Sequence, residues 1–191
     1  MFRRSMTAAV TMAMLAATPT SAAVTAYLYE DAGNVVAEAS GSLDLTGLTY
    51  GGQVGPDNAF AVNPSTGYIR FNNAAGDFYD LGAALAVFGT GASTLQLGTV
   101  TGDTLGIQPG FLIVPRNYLS GTALSSQATL TGQTLLGIGA VTGTYVTTLP
   151  NDTYTLIVGN GPNGPSDVPL PAGLVLLLSG FGAFWALHRR S

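Results

Sequence analysis

The chain has no cysteine and no lysine, and its one histidine, His188, is followed by only three residues. Each absence removes a kind of chemistry. Disulfides and thiolate zinc sites need cysteine. Schiff bases and Ser-Lys pairs need lysine. Between the two chain ends there is no histidine for a Ser-His-Asp or Cys-His arrangement, nor for a histidine-ligated transition metal. Charge is scarce as well: 8% of the 191 residues are Asp, Glu, Lys or Arg, against about 25% in an ordinary soluble domain.

The few charges are segregated. All ten carboxylates lie between Glu30 and Asp167, where only Arg70 and Arg116 oppose them, so this stretch carries a net charge of −8. Arg3, Arg4, Arg189 and Arg190 sit at the extremes. An acidic middle repels phosphate backbones, and nucleic-acid binding is not expected.

What is present at the ends is apolar. Arg3-Arg4 precedes an uncharged run from Met6 to Ala17, then Thr18-Pro19-Thr20 and the small residues Ser21-Ala22-Ala23. That is the order of a secretory signal, with Ser21 and Ala23 suited to the small subsites of a signal peptidase and the cut expected after Ala23. The run is too short to span a hydrocarbon core of about 30 Å. An amphipathic helix is the alternative, but Ala8 to Leu15 has no polar face.

At the other end Ala172–Leu187 is uncharged and apolar, and His188-Arg189-Arg190-Ser191 follows it. As a helix it is near the lower limit for crossing a bilayer. Trp185 occupies an interfacial position, and Arg189 and Arg190 act as a basic stop that favours the cytoplasmic side. A helix buried in a soluble core is the competing reading. Before this segment, Gly159 to Asp167 is a polar spacer rich in Gly, Pro and Asn. Then comes Val168-Pro169-Leu170-Pro171-Ala172, whose alternate prolines hold an extended backbone of the form a protease cleft accepts.

This tripartite end resembles the sorting tail of PEP-CTERM proteins, and more narrowly its VPLPA-CTERM variant, since Leu170 stands where the main family has Glu. The resemblance covers about the last 24 residues, in the sense of an ordered terminal signal. It implies processing by an exosortase-type membrane protease-transpeptidase, which is the expected partner along with the membrane itself, and exopolysaccharide is a candidate third. A glycolipid-anchor signal also joins a spacer to an apolar tail, but it needs neither a basic stop nor the Pro-x-Pro strip.

The expected organisation is a signal peptide over 1–23, a β-rich ectodomain over 24–158, a linker over 159–167 and the sorting tail over 168–191. Short runs rich in Val, Thr and Tyr, punctuated by Gly, Asn and Pro, predict an all-β sandwich or jelly roll between a signal helix and one C-terminal transmembrane helix. Val24–Tyr29, Val35–Ala39, Gly67–Phe71, Leu85–Phe88 and Phe111–Val114 read as strands. Gly143–Leu149 and Thr153–Val158, around Pro150-Asn151-Asp152, read as a hairpin with Tyr145, Thr147 and Leu149 on one face. A helical turn is expected near Leu135–Ile138. Thr101–Ile107 and Thr131–Ile138 echo each other and suggest a repeated strand–turn unit. The stretches Ser120–Ser125, Ala128–Leu130 and Gly143–Val146 resemble ectodomains that precede PEP-CTERM tails.

No catalytic, cofactor or metal residue is expected. Asp77 and Asp80 are the nearest approach to a glycosidase pair, and the bland reading makes them a solvated loop. Glu30-Asp31 and Gly55-Pro56-Asp57-Asn58 are oxygen-rich, without the spacing of a calcium loop. Tyr27, Tyr29, Tyr50, Tyr68, Tyr79, Tyr118, Tyr145 and Tyr154 form either a sugar-stacking platform or ordinary strand packing. The resulting expectation is a non-enzymatic protein, exported, anchored in the inner membrane as a precursor, and then delivered to the cell surface or matrix.

Overall fold

A computed structural model describes residues 23–97 and 100–163. Their regular structure is almost entirely strand: β1 (Ala23–Asp31), β2 (Asn34–Gly41), β3 (Thr49–Val54), β4 (Ala59–Asn63), β5 (Tyr68–Asn72), β6 (Gly76–Asp80), β7 (Thr94–Leu97), β8 (Thr101–Gly102), β9 (Leu105–Gln108), β10 (Phe111–Pro115), β11 (Leu124–Leu130), β12 (Gly143–Thr148) and β13 (Thr153–Val158). A single 3₁₀ turn, Pro64–Thr66, joins β4 to β5, and the Asn63 side chain caps it. The signal segment, apart from Ala23, and the sorting tail with its apolar run lie outside the described residues, as do Val168 to Ala172, Arg189 and Arg190.

The strands form two sheets, one of six strands in the order β12-β13-β1-β2-β11-β8 and one of seven in the order β3-β6-β10-β9-β5-β4-β7. Alternation decides which side of each strand is buried. Val24, Ala26 and Leu28 of β1 point inward, as do Leu124, Ala128 and Leu130 of β11 and Tyr154, Leu156 and Val158 of β13. From the other sheet Ile69, Phe71, Leu105, Ile107, Leu112 and Val114 meet them in one continuous core. This is a β-sandwich, in which two inner faces bury each other.

Local chemistry explains the connections. The β1–β2 loop is two residues long, Ala32 and Gly33, both with positive φ (47° and 79°), the conformation of a type I′ hairpin turn. The predicted terminal hairpin is present: β12 and β13 pair antiparallel from Gly143↔Val158 to Thr148↔Thr153. Thr147 and Leu149 are buried and Tyr145 half-buried, while Thr144, Val146 and Thr148 are exposed. Phe111–Val114 is an interior strand, flanked on both sides by β6 and β9.

Two expectations fail. Leu85–Phe88 is not a strand. Phe88 is fully buried, but its N–H donates to the Pro64 carbonyl and its carbonyl accepts from Val141, so the loop is pinned by scattered long-range bonds. The two echoing segments also diverge. Thr101–Ile107 runs through β8 into β9, whereas Leu135–Ile138 forms the expected helical turn, with Ile138 N–H donating to the Thr134 carbonyl at 3.0 Å.

Among the described residues β1 and β13 are the one parallel pair, from Ala23↔Thr153 to Leu28↔Val158. Parallel pairing sends both strands the same way. The chain therefore enters the sandwich beside Thr153 and leaves it beside Leu28, five residues or roughly 17 Å further along the strand.

Candidate binding face

The outer face of the six-stranded sheet is assembled by register. Tyr27 of β1 lies opposite Glu38 of β2, which lies opposite Gln127 of β11. The adjacent row is Thr25, Ser40 and Ser125. These positions alternate with the buried Val24, Ala26 and Leu28, so the hydrophobic pattern that turns one side of β1 inward turns Thr25, Tyr27 and Tyr29 outward.

A cleft of about 260 Å³ opens on this face, lined by Tyr27, Glu38, Ser40, Ser125, Gln127 and Pro162. Its centre is Glu38. The Tyr29 hydroxyl donates to Glu38 Oε1 at 2.7 Å, and Gln127 Nε2 donates to the same oxygen at 3.1 Å. Both bonds fix the carboxylate through one oxygen. Partial burial, then this hydrogen bond and the negative charge behind it, pushes the Tyr29 phenol up to about 12 from its ordinary 10.0. Gly159 N–H donates to the Leu28 carbonyl at 2.8 Å. A side chain on Gly161 would meet the Tyr29 ring at 3.1 Å. The start of the predicted spacer is therefore laid across β1, which brings Pro162 to the cleft wall.

A second cleft, about 400 Å³, follows β12 and β13 and is lined by Thr142, Gly143, Thr144, Ile157, Val158, Gly159 and Asn160. It is larger but has no aromatic ring and no charged group.

Most of the other carboxylates among the described residues bind backbone N–H groups or neighbouring side chains. Asp77 and Asp80 are not a solvated loop pair: both lie in β6, three positions apart, and so face opposite sides of the sheet. Asp77 pairs with the inward Val114, is 6% exposed, and accepts from Asn117 N–H at 2.8 Å; Asp80 is exposed. Glu30 accepts from Leu135 N–H at 2.6 Å, and Asp57 holds Arg70 at 2.7 Å and Asn72 at 2.6 Å, so one acid in each oxygen-rich loop already has a structural partner. Asp152 accepts from the N–H groups of Asp44 and Thr153. Burial raises its pKa, and those two bonds oppose the rise. The Thr46 hydroxyl and N–H hold Asp44 below the usual carboxylate range. Among the described residues no group of three or more His, Cys, Asp or Glu is placed to hold a metal ion.

Comparison with family models, with curated proteins and with solved structures finds no match.

The tyrosines divide by role. Tyr118 is structural: its hydroxyl accepts from Leu43 N–H at 2.9 Å and donates to the Thr122 carbonyl at 2.6 Å, pinning two loops. Tyr154 is core, and burial raises its phenol. Tyr145 packs near Phe88, their ring centres 6.0 Å apart. Tyr50 and Tyr79 meet edge to face at 5.7 Å across β3 and β6, and Tyr68 belongs to the outer side of the seven-stranded sheet. Only Tyr27 and Tyr29 share one open face with a carboxylate and an amide. Alternation in the sequence is enough to place both on one side of β1, but Glu38 and Gln127 join them through strand register, which no local pattern encodes.

Ala23, the expected last residue of the signal, opens β1, and its carbonyl accepts from Ser42 N–H at 3.2 Å. Ser21 lies outside the described residues. Among those described, no helix is long and apolar enough to cross a membrane.

Proposed function

We propose that the protein is an exported, non-catalytic component of the cell surface or its exopolysaccharide matrix, delivered through a cleaved signal and a VPLPA-type sorting tail. The observation that carries this reading is the terminal order of the sequence: Pro-x-Pro strip, apolar run, then Arg189-Arg190. The fold agrees with it. A cysteine-free β-sandwich has no disulfides and rests on its packed core. Glu30, Asp44, Asp57, Asp77, Asp103 and Asp152 are engaged with backbone N–H groups or neighbouring side chains. Glu38 has no second carboxylate beside it in the cleft to act as a general acid or base.

Intact-mass measurement of the mature protein tests this. The expected mass lacks the first 23 residues and the tail beyond the sorting motif. A mature chain that keeps Val168 through Ser191 in cells with an active sorting protease rejects the reading.

A further inference from the structure

The geometry points to the Tyr27–Glu38–Gln127 cleft as a binding site for an uncharged oligosaccharide segment of a polymer. This deepens the matrix reading and rests on it for the ligand's source. At about 260 Å³ the cleft falls below the range of roughly 300–1,000 Å³ that encloses a whole small ligand. It lies open on the outer sheet face and so suits part of a longer chain running across the strands.

Chemistry narrows the ligand. Sugars present hydroxyls at their edges and C–H groups on their faces. Tyr27 offers a ring with an apolar body and a polar tip. Ser40, Ser125 and Gln127 can each donate and accept. Glu38 already receives two bonds on Oε1, and a carboxylate has further acceptor capacity on its other oxygen, suited to a pair of sugar hydroxyls. Tyr29 and Gln127 hold the carboxylate in place beforehand, which lowers the ordering cost of binding.

Charge excludes the other large class of glycan. The single ionised group in the cleft is Glu38, and no arginine lines it. Arg70 lies on the opposite sheet, paired with Asp57. Uronate or sulfated polymers would meet an unopposed carboxylate on a domain whose net charge is already strongly negative. The structure therefore selects neutral chains.

The test is titration calorimetry on the full-length protein in detergent. The probes are cello-, laminari-, manno- and maltohexaose, with hexagalacturonate as the anionic counterpart. At least one neutral hexasaccharide is expected to bind. Tyr27→Ala is expected to weaken it by at least about tenfold, equivalent to about 1.4 kcal/mol, and Gln127→Ala by a smaller factor. Gln127 is exposed, so its variant decides the matter if Tyr27→Ala does not fold. Binding by none of the neutral probes overturns the proposal. So does binding that both variants leave intact, or a preference for hexagalacturonate. A protein that is processed as expected but binds no hexasaccharide leaves the surface reading standing and removes only this site. One that binds through Tyr27 but keeps its tail does the reverse.

Discussion

The two outer faces of the sandwich are built on opposite plans. On the six-stranded sheet the outward row Tyr27, Glu38, Gln127 is half-buried or exposed and open to solvent. On the seven-stranded sheet the corresponding outward residue of β10, Ile113, is 0% exposed, although it faces away from the core cluster that holds Leu112 and Val114. It is covered from both sides. Across β6 stands Phe78, whose ring lies against the glycines of the β3 bulge and meets Phe111 edge to face at 5.0 Å. Across β9 stands Gly106, and the Arg70 stem fills its place: a side chain there would lie 2.8 Å from Arg70 Cγ. Arg70 is held by Asp57, which Asn72 holds in turn. One outer face thus closes over itself with a small satellite core, while the other leaves its polar groups available. A face closed for stability is a poor ligand platform, and the contrast is the physical ground for placing the proposed binding site on the six-stranded sheet.

The contrast breaks most sharply under truncation. Ile113→Ala removes a fully buried side chain from the closed face. It is expected to cost about 2–5 kcal/mol, read as a lower midpoint in urea with little change in slope. A loss under about 0.5 kcal/mol, typical of exposed sites, would mean that the satellite core contributes nothing and that the two faces are alike.

On the open face the same measurement should give almost nothing. Gln127→Ala is expected to change stability by no more than about 0.5 kcal/mol, because the residue is exposed and its one bond, to Glu38, is shared with Tyr29. A loss above about 1.5 kcal/mol would show that the Tyr29–Glu38–Gln127 set is a structural strut, and the case for a functional face would weaken with it.

How far the sequence reveals this arrangement depends on the range of the signal. Strands whose pattern is local are readable: β1 and β2 around the Ala32-Gly33 turn, the apolar β10, and the β12–β13 hairpin. β3 and β6 are hidden, the first by Gly51 and Gly52, which serve the Phe78 ring rather than strand propensity, the second by Asp77 and Asp80, whose acids read as loop. β11 is not among the strands read from the sequence, because Ser-Ser-Gln interrupts its apolar residues, although its burial alternates strictly. Leu85–Phe88 shows the reverse error. An apolar run marks burial correctly but does not say whether the backbone pairs. The candidate site inherits the same limit. Its tyrosines are visible in one strand, while its carboxylate and amide arrive from two others.

The smallest expected effect concerns the open face's own electrostatics. Tyr29 donates to Glu38, and burial and that bond raise its phenol to about 12. In the unfolded chain the phenol ionises near 10.0. A raised acid favours the protonated form in the native state, so its contribution to stability is fully present below pH 10 and is lost as pH rises toward 12. Stability in urea should therefore fall across that window. Tyr29→Phe, which keeps the ring and removes the proton, should flatten the fall and delete one late-titrating phenol from the ultraviolet absorbance titration. If all accessible phenols titrate near 10 in both proteins, the Tyr29–Glu38 bond does not persist in solution. Glu38 would then be held by Gln127 alone, and the preorganisation of the acceptor on which the proposed binding site depends would be weakened.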